Sequence, residues 1–260
     1  MAYHGLIPIM RSFLSYMTFP RVLEIGVDKG QTLFPLVNYL TKVVSMSDTF
    51  PEKFYYEGID VYFRPDVNIM INSINDDIWG SRDPLKDPPP DHKVVGLICS
   101  HEKTSHDALT SIIANGAIKE FDLILIDGDH NYETVSRELK FALDLLSPHG
   151  IIICDDYCGE GGLQDEFFSQ ADDFYAEAAH VDEIKERLLK PEGVKDKTKQ
   201  GVKTAVDEFL EENKCDDWAL HKPTYPDEPT HPPVDIYSGA PVILYRKGGI
   251  IEFVHKRTGA

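Results

Sequence analysis

Apolar residues in this chain fall into short continuous runs separated by stretches of helical spacing. Leu123 to Asp127, inside the segment FDLILIDGDH at Phe121 to His130, is apolar until its last residue and is followed by a turn. Such a run reads as a strand buried on both faces. Arg21 to Ile25, Tyr55 to Asp60, Val94 to Ser100 and Ile151 to Cys154 read the same way. Between them the period changes. A helix is predicted from about Gln31 to Leu40, and another over His106 to Asn115, stopping at Gly116. A third covers Tyr132 to Leu146, with apolar Val135, Leu139, Ala142 and Leu146 on one stripe, and Ser147-Pro148-His149-Gly150 breaks it. Gly5 to Pro20 is moderately apolar around Arg11 and predicts a packed N-terminal helix. Gly162 to Lys199 is acidic and reads as largely helical, while Asp217 to His221 and Val242 to Arg246 add two strands. The alternation of strands and helices predicts an α/β fold, a doubly wound parallel sheet in a single domain over residues 1–260. Two proline-rich loops, Asp83 to His92 and Lys222 to Pro233, lengthen connections.

The chemistry gathers where two apolar runs end. LILIDGDH and IIICDDY each close on carboxylates. In a parallel sheet the ligand crevice lies beyond the carboxyl ends of the strands, so Asp127, Asp129, Asp155 and Asp156 should meet at one mouth. Carboxylates packed that closely repel one another. A divalent cation resolves the repulsion, and oxygen ligands select magnesium, calcium or manganese. Alternatives stay open: Asp155-Asp156 could cap a helix, Asp127 could touch only a substrate, and Asp129 could replace it as a ligand. His130 adjoins the cluster, and an imidazole titrating near neutrality suits removal of a hydroxyl proton. A purely structural histidine is the other reading. His101 and His106 follow the third strand and could line the same mouth.

A second signal lies near the start. In Arg21 to Thr32, RVLEIGVDKGQT, a strand runs into a turn with glycines four apart and a glutamate ahead of the first. Gly26 permits a sharp turn and Gly30 a close approach to the helix start. The spacing E-x-G-x-x-x-G resembles motif I of the class I S-adenosylmethionine-dependent methyltransferases. The order EIGVDKG, GID, LILIDGDH, IIICDDY and GVKTAVDEFLEEN extends that resemblance over roughly Arg21 to Arg246. The chain is similar to the metal-dependent O-methyltransferases, the branch with catechol, caffeoyl-CoA and macrocin-type sugar methyltransferases. The resemblance implies a Rossmann-like, mostly parallel seven-stranded sheet with a closing antiparallel hairpin. It implies S-adenosylmethionine held by Glu24, Gly26, Gly30, Thr32, Asp60 and Asp129, with Asp60 accepting from the ribose hydroxyls. It implies magnesium or a similar cation on Asp127, Asp155 and Asp156. His130 occupies the position at which catechol and caffeoyl-CoA relatives carry a lysine base, so His130 or Asp127 would take the acceptor's proton. Residues 1–20 would form a helical N-terminal segment and 159–199 a helical substrate-recognition lid.

Bulk composition narrows the partners. A net charge of −18 argues against nucleic acid, whose phosphates call for basic stripes. It fits a small neutral or cationic acceptor, or simply a solvated acidic surface. No apolar run reaches the roughly 18 residues of a membrane span, and no cleavage site follows the N-terminal segment. Cys99, Cys154, Cys158 and Cys215 lack the spacing of a disulfide framework, and Cys99 and Cys154 read as buried thiols. A reducing cytoplasm is the expected location, and homo-oligomerisation stays open. The reading is therefore methyl transfer to an oxygen of a small molecule. The alternatives are a non-catalytic S-adenosylmethionine-binding module and a cephalosporin-hydroxylase-like enzyme. An all-carboxylate ligand set disfavours the latter, since it lacks the histidine pair of a non-haem iron triad.

Overall fold

Neighbouring residues of each strand point to opposite faces, and each face of the sheet finds its own layer of helices. The computed structural model describes residues 6–46, 53–79, 95–116, 120–158, 161–170, 175, 181–222 and 240–248. Strands β1 (Arg21–Ile25), β2 (Lys53–Asp60), β3 (Val95–Glu102), β4 (Phe121–Ile126), β5 (Leu146–Cys158), β6 (Trp218–His221) and β7 (Ala240–Arg246) form one sheet in the order β3-β2-β1-β4-β5-β7-β6. The first five pair in parallel, and β7 runs antiparallel to both β5 and β6. This is the expected Rossmann-like sheet with its antiparallel hairpin. The central strand β4 is buried at every position. Its Leu123 and Leu125 join the core under α1 (Leu6–Leu14), α2 (Leu33–Met46) and α3 (Pro65–Trp79). Its Ile124 and Ile126 join the core under α4 (Ser105–Asn115), α5 (Tyr132–Leu145) and α7 (Gly201–Glu212).

The helix ends carry their own chemistry. The Thr104 side chain accepts from Asp107 N at the start of α4, and Gly116 closes it at a φ of 61°. Asn131 caps α5 by accepting from Thr134 N at 2.8 Å. Arg11, the interruption in the N-terminal apolar run, donates to Pro35 O and lies over the Tyr39 ring, so it ties α1 to α2. Helix α3 is absent from the sequence reading, although Pro65 at its first turn and Val67, Ile71, Ile74 and Ile78 carry a helical stripe. It covers the edge strand: Asn75 pairs through its amide with both N and O of Ile98, and Trp79 Nε1 donates to Gly96 O.

Three expectations are corrected. The proposed break at Ser147–Gly150 is taken into β5, which starts at Leu146 and pairs there with Phe121. Ser147 Oγ donates to Asp122 Oδ1, which anchors this extended start to β4. The segment beyond β5 is not largely helical among its described residues. It holds single 3-10 turns at Gly161–Leu163, Phe168–Gln170 and Pro191–Gly193 and one seven-residue helix, α6 (Val181–Arg187). Helix α6 buries no residue, so no apolar stripe drives a longer helix there. Cys99 is half-buried rather than buried, while Cys154 and Cys158 are buried, and none of the four forms a disulfide among the described residues. Asp83 to His92, Val94, and all of Lys222 to Pro233 except Lys222 lie outside the described residues. Among the described residues no helix is long and apolar enough to cross a membrane.

Candidate active site

The C-terminal ends of β1, β2, β4 and β5 open on a cavity of about 640 Å³. Its floor is the turn after β1. Gly26 N donates to Ile59 O, and Asp127 N donates to Ile25 O, so three strand ends are locked together. Gly26 and Gly30 have φ values of 88° and 68°, and Asp28 is also left-handed at 41°. Arg64 Nε holds the Asp28 carboxylate at 3.0 Å. Gly30 does not face the cavity; a Cβ there would meet the Phe34 ring.

Asp60 organises this turn. Its Oδ2 accepts from Val27 N at 2.8 Å and Asp28 N at 2.9 Å, and its Oδ1 accepts from Tyr62 N at 3.2 Å. Burial pushes its carboxyl up to about 6, against these three backbone donors. A carboxylate offers about four acceptor positions, so little capacity is left for a ligand hydroxyl. Glu24 and Thr32 also face the cavity and are buried. Glu24 accepts from the Tyr56 hydroxyl at 2.6 Å, and burial holds its carboxyl well above the usual range.

The carboxylates that follow β4 and close β5 do share one cavity wall with His130. They do not play equivalent parts. Asp129 turns to the segment beyond β5, accepting from Ser169 N at 2.7 Å and from its hydroxyl at 2.5 Å. Asp156 meets His130 Nδ1 at 2.7 Å from a left-handed backbone position. Asp127 Oδ1 lies 3.5 Å from His130 Nε2, without a hydrogen bond between them. Burial raises Asp127, with His130 opposing, and raises Asp155 further, helped by the Asp156 charge. Burial also disfavours a charged His130, but the facing carboxylates of Asp127 and Asp156 outweigh it and bring the ring to about 9. Potential ligand atoms of Asp127, His130 and Asp155 lie within 4.8 Å of one another, and those of His130, Asp156 and Glu166 form a second such group. Of the predicted trio, Asp127 and Asp155 fall in the first group and Asp156 in the second, with His130 common to both.

Of the other histidines, His106 reaches the cavity and packs against Phe141, whereas His101 turns away and pairs with Glu57. Phe168 and Glu138 are among the lining residues that the sequence reading passed over. Phe168 packs edge-on to His130 with ring centres 5.0 Å apart, and no sequence pattern announces it. Glu138 had a signal: it is a charged residue within the apolar stripe of α5, beside Val135 and Leu139. It is 2% exposed, and its Oε2 has no hydrogen-bond partner among the described residues. Burial pushes it up to about 8, with a Ser105 hydrogen bond opposing.

That value has a consequence for stability. The folded carboxyl titrates above the roughly 4.3 of an unfolded glutamate. As pH rises through this window the unfolded chain gives up its proton first. The Glu138 contribution is thus full below about pH 4.3 and falls until about pH 8. Glu138→Gln should therefore gain stability over the wild type between about pH 5 and about pH 9, by at most a few kcal/mol. Thermal melts at the two values check this, and equal differences at both would mean that the group is ionised throughout.

A family model described as "Methyltransferase domain" matches residues 23–157. No curated protein matches the chain. Among solved structures it is similar to the O-methyltransferase from Bacillus cereus in complex with SAH, at 15% identity and a TM-score of 0.49, over 93% of this chain and 79% of that one. A putative O-methyltransferase from Klebsiella pneumoniae gives 16% and 0.45, over 95% and 80%. A putative rRNA-methylase from Clostridium thermocellum gives 12% and 0.47, over 94% and 97%. The matched stretch runs from the strand that leads into the glycine turn to the aspartates that close β5, just over half of the sequence, and the chain belongs to this methyltransferase-domain family.

Proposed function

We propose that this protein transfers the methyl group of S-adenosylmethionine to an oxygen of a small-molecule acceptor, assisted by a divalent cation. The observation that carries the reading is the junction of two features in one cavity: the left-handed glycine turn after β1 and the carboxylate–histidine cluster at the C-terminal ends of β4 and β5. The cavity volume lies in the ordinary range for small ligands, about 300–1,000 Å³. Its acidic lining suits a cationic sulfonium.

The residues at the cluster fit a cation. His130 Nε2 and Asp155 Oδ1 are both buried and lack hydrogen-bond partners among the described residues, and both belong to the same close group as Asp127. When bound, such a cation polarises the acceptor hydroxyl and lowers its pKa. The chain's own residues do the rest. The β1 turn seats the cofactor, with Asp60 holding the turn's shape and Glu24 and Thr32 beside it. Bound there, S-adenosylmethionine would supply a methyl carbon open to the acceptor oxygen from the side opposite sulfur, with the carbon–sulfur electron pair leaving on sulfur as the carbon–oxygen bond forms. The hydroxyl proton passes to the Asp127 carboxylate. His130, held between the Asp127 and Asp156 carboxylates, is the alternative acceptor of that proton.

The test is turnover. Purified protein, S-adenosylmethionine, a divalent salt and a panel of phenols and sugars should yield adenosylhomocysteine and an O-methylated product by mass spectrometry. Tight cofactor binding without turnover on any acceptor would favour a binding module, and methylation at nitrogen or carbon would correct the acceptor class.

A further inference from the structure

We propose that His130 is a metal ligand through Nε2, that Asp156 stands behind it as its hydrogen-bond partner, and that the cation site is the mixed set Asp127, His130 and Asp155. This rests on the reading that a divalent cation occupies the cluster, and it replaces the all-carboxylate set expected from sequence. The ring has two nitrogens, and one is committed. Nδ1 lies 2.7 Å from Asp156 Oδ2. A neutral imidazole held that way keeps its proton on Nδ1 and presents its lone pair at Nε2. A carboxylate behind a histidine is the usual support of a metal-bound imidazole, because it sets both ring orientation and tautomer.

The other nitrogen faces the cluster. Nε2 is buried with no hydrogen-bond partner among the described residues, and so is Oδ1 of Asp155. The residues are 4% and 9% exposed, so bulk water does not satisfy them. With the ring neutral, Nε2 faces Asp127 Oδ1 at 3.5 Å within the same close group as Asp155, and lone pairs gathered that way are costly unless something positive joins them. The ligand-capable atoms of Asp127, His130 and Asp155 lie within 4.8 Å of one another. Atoms roughly 2.0–2.3 Å from one ion are separated by no more than about that distance. In the competing group of His130, Asp156 and Glu166, the Asp156 carboxylate is already engaged by Nδ1.

The ring is also held before any ion arrives. His130 N donates to Glu166 O at 3.0 Å, and Glu166 N donates to His130 O at 3.3 Å. Phe168 closes against the imidazole edge-on. The consequence is a change of metal class. One imidazole nitrogen with two carboxylates favours manganese, iron, cobalt, nickel or zinc over magnesium or calcium, which prefer an all-oxygen shell. It also removes Nε2 as a proton acceptor and leaves that task to Asp127.

Manganese alone, added to the metal-free full chain, serves as probe, and electron spin-echo modulation reads the nuclei bound to it. The wild type should show nitrogen-14 modulation from one imidazole. His130→Gln should lose that modulation. Asp156→Asn should keep it, with manganese affinity lowered about 10- to 100-fold. Manganese bound to the wild type without nitrogen modulation would overturn the inference and leave methyl transfer standing, with an all-oxygen site. Unchanged manganese affinity and modulation in His130→Gln would overturn it as well. If the wild type binds no manganese, the inference fails together with the cation's part in the proposed function, while the turnover assay still decides methyl transfer itself.

Discussion

Gly26→Ala is expected to abolish cofactor binding. A Cβ at this position would lie 2.1 Å from the Asp127 carbonyl oxygen and 2.5 Å from its carbonyl carbon. Those atoms are backbone at the end of β4, held by the Asp127 N to Ile25 O hydrogen bond, and cannot swing aside. The φ of 88° adds strain for any residue with a side chain. Relief requires β1 and β4 to separate where the cavity floor is built, which displaces Asp127 and the donors that Asp60 holds. Affinity for adenosylhomocysteine should fall at least about 100-fold, and stability by roughly 1–3 kcal/mol. Calorimetric titration with circular dichroism separates the two effects. Gly128→Ala is the control, because its Cβ would meet only Ile25 Cγ2 at 3.6 Å and Ile25 O at 4.0 Å, ordinary contacts. Normal affinity in a folded Gly26→Ala variant would place the cofactor elsewhere.

Asp127→Asn should lower turnover about a hundred- to ten-thousand-fold, the usual loss on removing a group that takes the proton. The amide keeps the shape but can neither accept that proton nor contribute charge to the cation. Cofactor affinity should change far less, since the β1 turn and Asp60 are untouched, so the effect belongs in kcat rather than in binding. Single-turnover measurements at saturating cofactor provide the check. Near-wild-type turnover on the true acceptor would assign proton removal to another group.

The resemblance to metal-dependent O-methyltransferases and the residues behind it pointed to the same cavity from opposite ends. Strand runs, helix stops and the glycine turn are local features. Each is written in a few consecutive residues, and the parallel order of β1, β2, β4 and β5 then brings their C-terminal ends to one side. Asp60, Asp127, Asp155 and Asp156 were legible for that reason. Helix α3 was legible in principle and missed, since its stripe is spread over a sequence rich in Asn and Asp.

What each side chain does once it reaches the cavity was not legible. The sequence by itself determined the strand ends, the left-handed turn and the gathering of carboxylates, because short-range patterning and sheet chirality dictate them. The tertiary structure decided the partners. Asp129 is claimed by Ser169, forty residues later, and Asp165 binds both Tyr132 N and Gly201 N, which lays the segment beyond β5 over the site. Asp60 is spent largely on backbone donors, and Asp156 on the His130 ring. A carboxylate's role depends on which donor lies within about 3 Å, and those donors arrive from distant segments. Spacing along the chain carries no record of that distance.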